Sequence, residues 1–115
     1  MKRVRISIAL LMMVLSVPAF AGAVDKFDKR VAEIEGFVAQ RMFDIERCLI
    51  NMDRATVPWI YRQPDRPDET LLLWPAGDNT IGARIDLKRQ GDGTFVRIWM
   101  NNAEVRRCAP LSKNP

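Results

Sequence analysis

The chain has 115 residues, of which 18 are basic, 14 are acidic and none is histidine. The lack of histidine excludes Ser-His and Cys-His nucleophile pairs and histidine-containing zinc sites. Three basic residues lie in a leader that we expect to be removed, so the mature chain keeps 18 − 3 = 15 basic against 14 acidic residues. That balance gives no case for binding nucleic acid or an acidic membrane, which would require a clustered basic surface.

Residues 1–21 have the three-part layout of a secretory signal peptide. A basic start precedes an apolar run from Ile6 to Val17, and Ala19 and Ala21 are small residues of the kind a signal peptidase cleaves after. The run is too short to span a bilayer core, which takes about 20 helical residues. We therefore expect a protein of the periplasm or the extracellular space, with one domain at 22–115 and no stable membrane anchor after cleavage.

Residues 24–50 carry the apolar spacing of one long amphipathic helix. The apolar positions recur at intervals of three and four, apart from one gap of seven that contains Arg41, at Val24, Phe27, Val31, Ile34, Val38, Ile45 and Cys48. Gly36, which costs about 1 kcal/mol relative to alanine inside a helix, interrupts the pattern. A helix of roughly 40 Å would overhang its sheet. Its first part would then fold over at Gly36 or pack against something outside the domain, so a homodimer is one option.

Short β-rich runs bounded by Pro, Gly, Asp and Asn predict five strands after Met52. They are 57–62, 70–74, 81–89, 94–100 and 103–108. A proline marks the first as an edge strand. The expected fold class is α+β: a long N-terminal amphipathic helix packed on a four- to five-stranded antiparallel β-meander, with one disulfide.

Two tight turns set the register of the last three predicted strands. One is the loop at 90–93, and the other is a type I′ turn at Asn101-Asn102. The resulting pairs are Leu87 with Val96, Ile85 with Ile98, Trp99 with Glu104, and Arg97 with Arg106. The aliphatic residues then fall on one face, an arrangement that a register slip of one residue would destroy.

Cys48 and Cys108 are the only cysteines, and an even number in an exported chain predicts a disulfide. It would close a loop of 108 − 48 = 60 residues, for which the chain-entropy model gives about 4 kcal/mol. The competing interpretation, a catalytic thiol, lacks a histidine base. Strand alternation puts Cys108 on the polar face, away from the helix that carries Cys48. The strand must therefore bulge, or Cys108 must turn around the sheet edge.

The polar face of the sheet presents an aromatic and charged surface. Cross-strand charge pairs and stacking of Arg84 on Trp99 explain part of it. In one register of the first two strands, four apolar residues join Trp99 there: Trp59, Tyr61, Leu71 and Leu73. In the other register, Ile60, Leu72 and Trp74 do. This cluster lies opposite the helix, so it forms an interaction surface, is buried by a partial barrel, or is covered by the helix doubling back at Gly36.

Two polar features bear on chemistry. The loop at 62–70 is stiffened by two prolines and offers Asp65 and Asp68 for insertion into a partner. A two-carboxylate hydrolase is formally open, with its carboxylates drawn from Glu33, Glu35, Asp44 and Glu46. No nucleotide-binding spacing is present, and we expect neither a metal nor a cofactor.

We predict a periplasmic, non-enzymatic protein that binds another protein, for instance an inhibitor or immunity protein against a toxic or lytic enzyme. Trp, Tyr and Arg dominate binding hot spots. The expected contact residues are Trp99, Arg97, Arg106, Arg84, Trp59, Trp74, Asp65 and Asp68. An exposed Trp99 predicts that Trp99→Ala weakens binding without loss of stability. The alternative functions are a small-ligand-binding or sensor-like domain and, less favoured, the carboxylate hydrolase.

Overall fold

The computed structural model describes residues 25–52, 57–77, 79–100 and 102–112. Within them lie five strands and two helices. In chain order these are β1 (Ile34–Val38), α1 (Met42–Ile50), β2 (Trp59–Tyr61), β3 (Glu69–Pro75), β4 (Ile81–Gln90), β5 (Gly93–Ile98) and α2 (Ala103–Cys108). The predicted α+β class is confirmed. The predicted signal peptide lies outside the described residues, and none of the helices described is long and apolar enough to cross a membrane.

The sheet has the strand order β1-β5-β4-β3-β2, and every neighbouring pair is antiparallel. Strands β2 to β5 form the predicted meander, with β2 at one edge. The chain enters at the other edge through β1, which pairs with β5, and crosses to β2 by way of α1. The sheet is therefore completed by its first strand joining its last.

The predicted helix over 24–50 is wrong. Asp25 is helical, residues 26–30 form a turn and a bend, residues 34–38 form β1, and the helix α1 covers Met42–Ile50 alone. Ile34, Gly36 and Val38 sit opposite Ile98, Val96 and Thr94 of β5, so β1 follows the two-residue period of a strand. The interval of four residues between Ile34 and Val38 fits the period of a helix as well as that of a strand. In so short a segment, pairing with β5 decides in favour of the strand.

The predicted last strand, 103–108, is also wrong, because these residues form α2. The side chain of Asn102 accepts a hydrogen bond from the Val105 N–H at 2.8 Å and so caps the helix. Val105 and Cys108 lie three residues apart and are both buried. Cys108 is thereby on the same side of the sheet as α1, which removes the conflict that strand alternation created.

The register predicted for the β4–β5 hairpin is confirmed. Leu87 lies opposite Val96 and Ile85 opposite Ile98. The hairpin turns at Gly91, whose φ of 58° is the left-handed conformation that glycine adopts readily. Strand β2 pairs Trp59 with Leu73 and Tyr61 with Leu71.

The main hydrophobic core lies between the two helices and one face of the sheet, which we call the inner face. The helices contribute Met42, Ile45, Leu49 and Val105. The inner face contributes Val38, Leu72, Trp74, Ala83, Ile85, Leu87, Val96 and Ile98. The predicted disulfide is confirmed: it joins Cys48 of α1 to Cys108 of α2, with their Cα atoms 5.5 Å apart. Both helices are thus held over one face.

A second, smaller cluster lies on the opposite, outer face of the sheet. Phe27, in the turn at residues 25–30, packs there on Leu73, Ile81 and Trp99. Of the explanations open from the sequence, covering by the N-terminal segment is the nearest to what is found. The cover is a short turn ahead of β1, however, and not a helix folded back at Gly36.

The residues after α2 run along the free edge of β1. The Ser112 N–H donates to the Phe37 carbonyl at 2.7 Å. A Cβ built on Gly36 would lie 3.2 Å from Leu111 Cδ2, so Gly36 lets the tail approach closely. This edge is covered within the chain.

Candidate functional site

One row of side chains crosses the outer face of all five strands. It consists of Glu35, Arg97, Asp86, Leu71 and Tyr61, each directly opposite the next. Neighbouring strands lie 4.7–4.9 Å apart, so this central row is about 19 Å long. Its four members other than Glu35 form the floor of the feature that we take as the candidate site.

Four members of the central row, Arg97, Asp86, Leu71 and Tyr61, line a groove of about 620 Å³, which we call the outer groove. Asp25 and Asp28 of the N-terminal turn line one side of it. Gln63 and Arg66, from the loop between β2 and β3, line it as well, together with Lys88 and Phe95 from neighbouring strands. The groove is therefore bounded by chain segments that the sequence places far apart.

Arg84 is the buried cation under this groove. Its Nε and Nη2 donate to the two carboxylate oxygens of Asp86 at 2.6 and 2.8 Å, and its Nη1 lies 2.8 Å from Asp28 Oδ1. Burial lowers the pKa of Arg84, but its hydrogen bonds and charge contacts with Asp86 and Asp28 raise that pKa above its ordinary value. Arg84 thus remains a fixed positive charge that ties the N-terminal turn to the sheet.

At Asp86 the effect of burial on the pKa outweighs that of the hydrogen bonds and charges, whereas at Arg84 it does not. Burial raises the pKa of its carboxyl group above the ordinary value, while the hydrogen bond and charge of Arg84 act to lower it. Arg97 also lowers this pKa, and Asp28 raises it. Both oxygens of Asp86 accept from Arg84, so the carboxylate holds the floor of the groove in place.

Trp99 is the centre of the outer cluster, with only 6% of its surface exposed. Its Nε1 donates to the Arg30 carbonyl at 3.2 Å, and the ring of Phe27 packs on it edge to face. The guanidinium carbons of Arg84 and Arg97 lie 5.2 and 5.0 Å from the indole. The predicted stacking of Arg84 is confirmed, but the premise of an exposed Trp99 is wrong, because the N-terminal turn covers it.

Arg97 lies at the middle of the groove floor, and its side chain is 40% exposed. It sits between Glu35 of β1 and Asp86 of β4, in place of the predicted partner Arg106. Its Nε is 3.4 Å from Glu35 Oε2, an ion pair that does not meet hydrogen-bond geometry. Among the described residues, this buried Nε has no hydrogen-bond partner.

The other expected contact residues divide between the two sides of the molecule. Trp59 is 40% exposed on the outer face. Trp74 lies opposite Ala83 of β4, so both side chains are on the inner face, and Trp74 is buried in the main core. Arg106 is exposed on α2, away from the outer face, because residues 103–108 are helical. Asp65 is exposed in the β2–β3 loop, and Asp68 pairs with Arg89 at 3.7 Å. The structure therefore groups Arg84, Arg97, Trp99 and Trp59 only.

Most residues that line the groove were missed as site residues, among them Asp86, Lys88, Phe95 and Asp28. Lys88 and Phe95 share a face with Asp86 and Arg97, so strand alternation alone could have found them. Asp28 had no such signal, because its approach to Arg84 depends on the turn at 25–30. Because this segment was predicted to be helical, nothing in the sequence indicated that it would cover Trp99.

The carboxylates considered for hydrolysis do not converge. Glu35 lies on the outer face, whereas Asp44 and Glu46 belong to α1 on the other side of the sheet. Asp44 pairs with Arg41, and the buried Glu46 accepts a hydrogen bond from Arg62. Glu33 precedes β1, where its N–H donates to the Ile98 carbonyl. Within the described part of the chain, no group of three acidic or cysteine residues is arranged to hold a metal.

The chain matches no protein-family model, no curated protein and no solved structure. Its function therefore has to be inferred from the chemistry and shape of the outer groove.

Proposed function

We propose that this protein is an exported, non-catalytic module that binds another protein through the outer groove. The observation that carries the proposal is the composition of that groove and its margin. A half-exposed guanidinium, Arg97, lies on its floor, and Tyr61 and Trp59 are 48% and 40% exposed beside it. Tyr, Trp and Arg are the residue types that contribute most to protein–protein binding energy.

The dimensions of the groove suit a polypeptide segment. The four members of the central row that line it span about 14 Å, which matches about four residues of an extended chain at 3.2–3.4 Å per residue. The apolar surface also continues past the groove along edge strand β2, since Val57 is 63% exposed beside Trp59. Contiguous apolar surface on an otherwise polar protein marks interaction sites.

The floor of the groove is organised before any partner arrives. The two hydrogen bonds from Arg84 to Asp86, the ion pair with Asp28 and the stacking on Trp99 hold the charged side chains in place. Ordering of side chains opposes association, so a rigid floor lowers the cost of binding. The rigid floor therefore favours a role in recognising a partner over a role that needs a flexible surface.

The predicted leader at 1–21 supports placing this activity outside the cytoplasm, and the disulfide is compatible with that location because disulfides persist in oxidising compartments. Among protein-binding functions, we favour an inhibitor or immunity protein acting on a toxic or lytic enzyme. A small, disulfide-fastened domain with a rigid binding groove suits that role, and its partner would be an exported enzyme.

A site-specific crosslinking experiment tests the proposal. A photoreactive amino acid replaces Tyr61 in the full chain, expressed in its native host, and replaces Arg106 on α2 in a matched control. We expect one protein adduct of defined mass from position 61, none from position 106, and a reduced yield when Trp59→Ala is added. Equal labelling from both positions, or labelling from 106 only, would overturn the proposal.

A small ligand is the second candidate, favoured by the volume of the groove. About 620 Å³ lies within the range of 300–1,000 Å³ typical of ligand sites. Native mass spectrometry of the protein from its host separates the two functions. An added mass of a few hundred daltons supports a ligand, and an added polypeptide supports a protein partner.

A further inference from the structure

Arg97 packs on an aromatic ring, and its Nε has no hydrogen-bond partner among the described residues. Its guanidinium carbon lies 5.0 Å from the Trp99 indole, and Trp99 is itself fixed by Phe27 and by the Arg30 carbonyl. Stacking orients the planar guanidinium, whose N–H groups form a fork that matches a carboxylate. Arg97 is therefore oriented before a ligand binds.

The neighbours of Arg97 do not use that fork. Asp86 lies directly opposite, but both of its oxygens accept from Arg84. Glu35 is on the other side, with Oε2 at 3.4 Å from Nε and outside hydrogen-bond geometry. A buried donor that lacks a partner is uncommon in proteins and calls for an explanation. Because Nε is buried while the side chain is 40% exposed, the terminal Nη groups are the donors that a ligand can reach.

The two sides of the central row differ in charge. Asp25 and Asp28 lie on the side of Arg84, and Asp28 is bound to it. Lys88 and Arg66 lie on the other side, where Glu69 is 4.0 and 3.8 Å from them. Both cations are more than half exposed. An anion on Arg97 would thus approach from the side where exposed cations outnumber the carboxylate.

We infer that the partner's segment places an acidic side chain on Arg97, end-on to its Nη groups and beside Lys88. This inference rests on the proposed protein-binding function and names the chemistry of its anchor. A carboxylate fits better than a phosphate group because Glu35 and Asp86 flank Arg97. Repulsion from these two carboxylates is greater for an anion of charge near −2 than for one of charge −1.

Nuclear magnetic resonance on the mature, oxidised protein tests the anchor without the partner. The probe is the peptide acetyl-Gly-Glu-Gly-amide, and its uncharged match is acetyl-Gly-Gln-Gly-amide. We expect the Glu peptide to shift the Arg97 Nε–H and Trp99 indole N–H resonances in a saturable manner, and the Gln peptide to leave them in place. Equal shifts from both peptides, or a larger shift from inorganic phosphate, would overturn the inference.

Two variants localise the effect. Arg97→Lys keeps the positive charge beside Glu35, so the fold is retained, but it removes the bidentate fork. We expect it to weaken the Glu-peptide response of the Trp99 indole about tenfold, the size of one lost charged hydrogen bond. Arg41→Gln is the control, since Arg41 is an exposed, ion-paired arginine of the α1 N-terminus. An equal loss in both variants would contradict a role specific to Arg97.

The crosslink at position 61 separates failure of the anchor from failure of the function. If Arg97→Lys leaves the partner adduct at full yield, the protein-binding function stands and the carboxylate anchor falls. If the wild-type groove captures no partner while the Glu peptide still shifts Arg97, the proposed function falls and the anion site stands. A yield lowered about tenfold by Arg97→Lys supports both.

Discussion

The indole of Trp99 and the ring of Phe27 pack edge to face, with centroids 6.0 Å apart and planes at 62°. Both rings are buried on the outer face of the sheet. The Asp28–Arg84 ion pair and the hydrogen bond from Trp99 to the Arg30 carbonyl join the same two segments. The N-terminal turn is thus part of the hydrophobic structure and forms one wall of the groove.

Replacement of Trp99 by alanine should therefore strongly destabilise the folded protein. We expect the free energy of unfolding to fall by about 3–5 kcal/mol, the usual loss for a buried tryptophan. Trp59→Ala removes a half-exposed ring and should cost less than about 1 kcal/mol. Urea denaturation followed by far-UV circular dichroism measures both. Equal, small losses would contradict the burial of Trp99 beneath Phe27.

Asn102 should behave as a helix cap and not as a turn residue. Its side chain accepts from the Val105 N–H, and its φ of −141° is ordinary extended backbone. Asn102→Ala should lower the free energy of unfolding by about 1 kcal/mol, whereas Asn102→Ser should retain most of it. In a type I′ turn the ranking would differ, because Asn102→Gly would be favoured over Asn102→Ser. Thermal denaturation of the three variants decides between these orders.

The disulfide should account for a large share of the stability. Cys48 and Cys108 are separated by 60 residues, and closing a loop of that length is worth about 4 kcal/mol in the chain-entropy model. We expect dithiothreitol to lower the midpoint of thermal unfolding to that of the Cys48→Ser/Cys108→Ser variant. The double variant should not respond to the reductant. A wild-type protein insensitive to it would show that the bridge adds nothing.

Asp86 gives a pH dependence with a defined sign. Burial raises its pKa in the folded protein above the value of 3.8 expected when unfolded. Its contribution to stability is then complete below the unfolded pKa and is lost as pH rises through the folded pKa. We expect the free energy of unfolding of the wild type, minus that of Asp86→Asn, to decrease as pH rises from below 3.8 through the higher pKa of the folded protein. A difference that grows with pH would mean that the Arg84 ion pair outweighs burial.

The sequence predicts well those parts of the fold in which apolar residues alternate regularly and a glycine-containing turn separates the strands. In β4 and β5, alternating apolar residues and the glycines at 91 and 93 determine the register, and the pairs at Leu87 and Ile85 are observed. The disulfide follows from having only two cysteines. The choice of outer-face register for Trp59 and Tyr61 needed the structure, because the turn before β4 fits either one.

The errors arose where a short segment fits two periods. Val105 and Cys108 are three residues apart, which a six-residue helix satisfies, and the alternation of neighbouring residues resembled a strand. The Asn102 side chain, bonded to the Val105 N–H, favours the helix. Likewise Ile34 and Val38 fit a helix until β5 is available to pair with them. Such tertiary partners are absent from any local pattern, as is the cover that Phe27 gives to Trp99.

The pairing of β1 with β5 has a consequence for the order in which the fold forms. Strands β2 to β5 follow one another and form by short-range contacts, whereas Ile34 must find Ile98 across most of the domain. If the chain crosses a membrane with its N-terminus first, the strand that emerges earliest has to wait for the one that emerges last. During that interval the backbone of β1 is open to unintended partners. Because Cys108 follows β5 in the chain, the bridge to Cys48 can form only after that interval, and it then keeps the two ends of the domain within reach of each other.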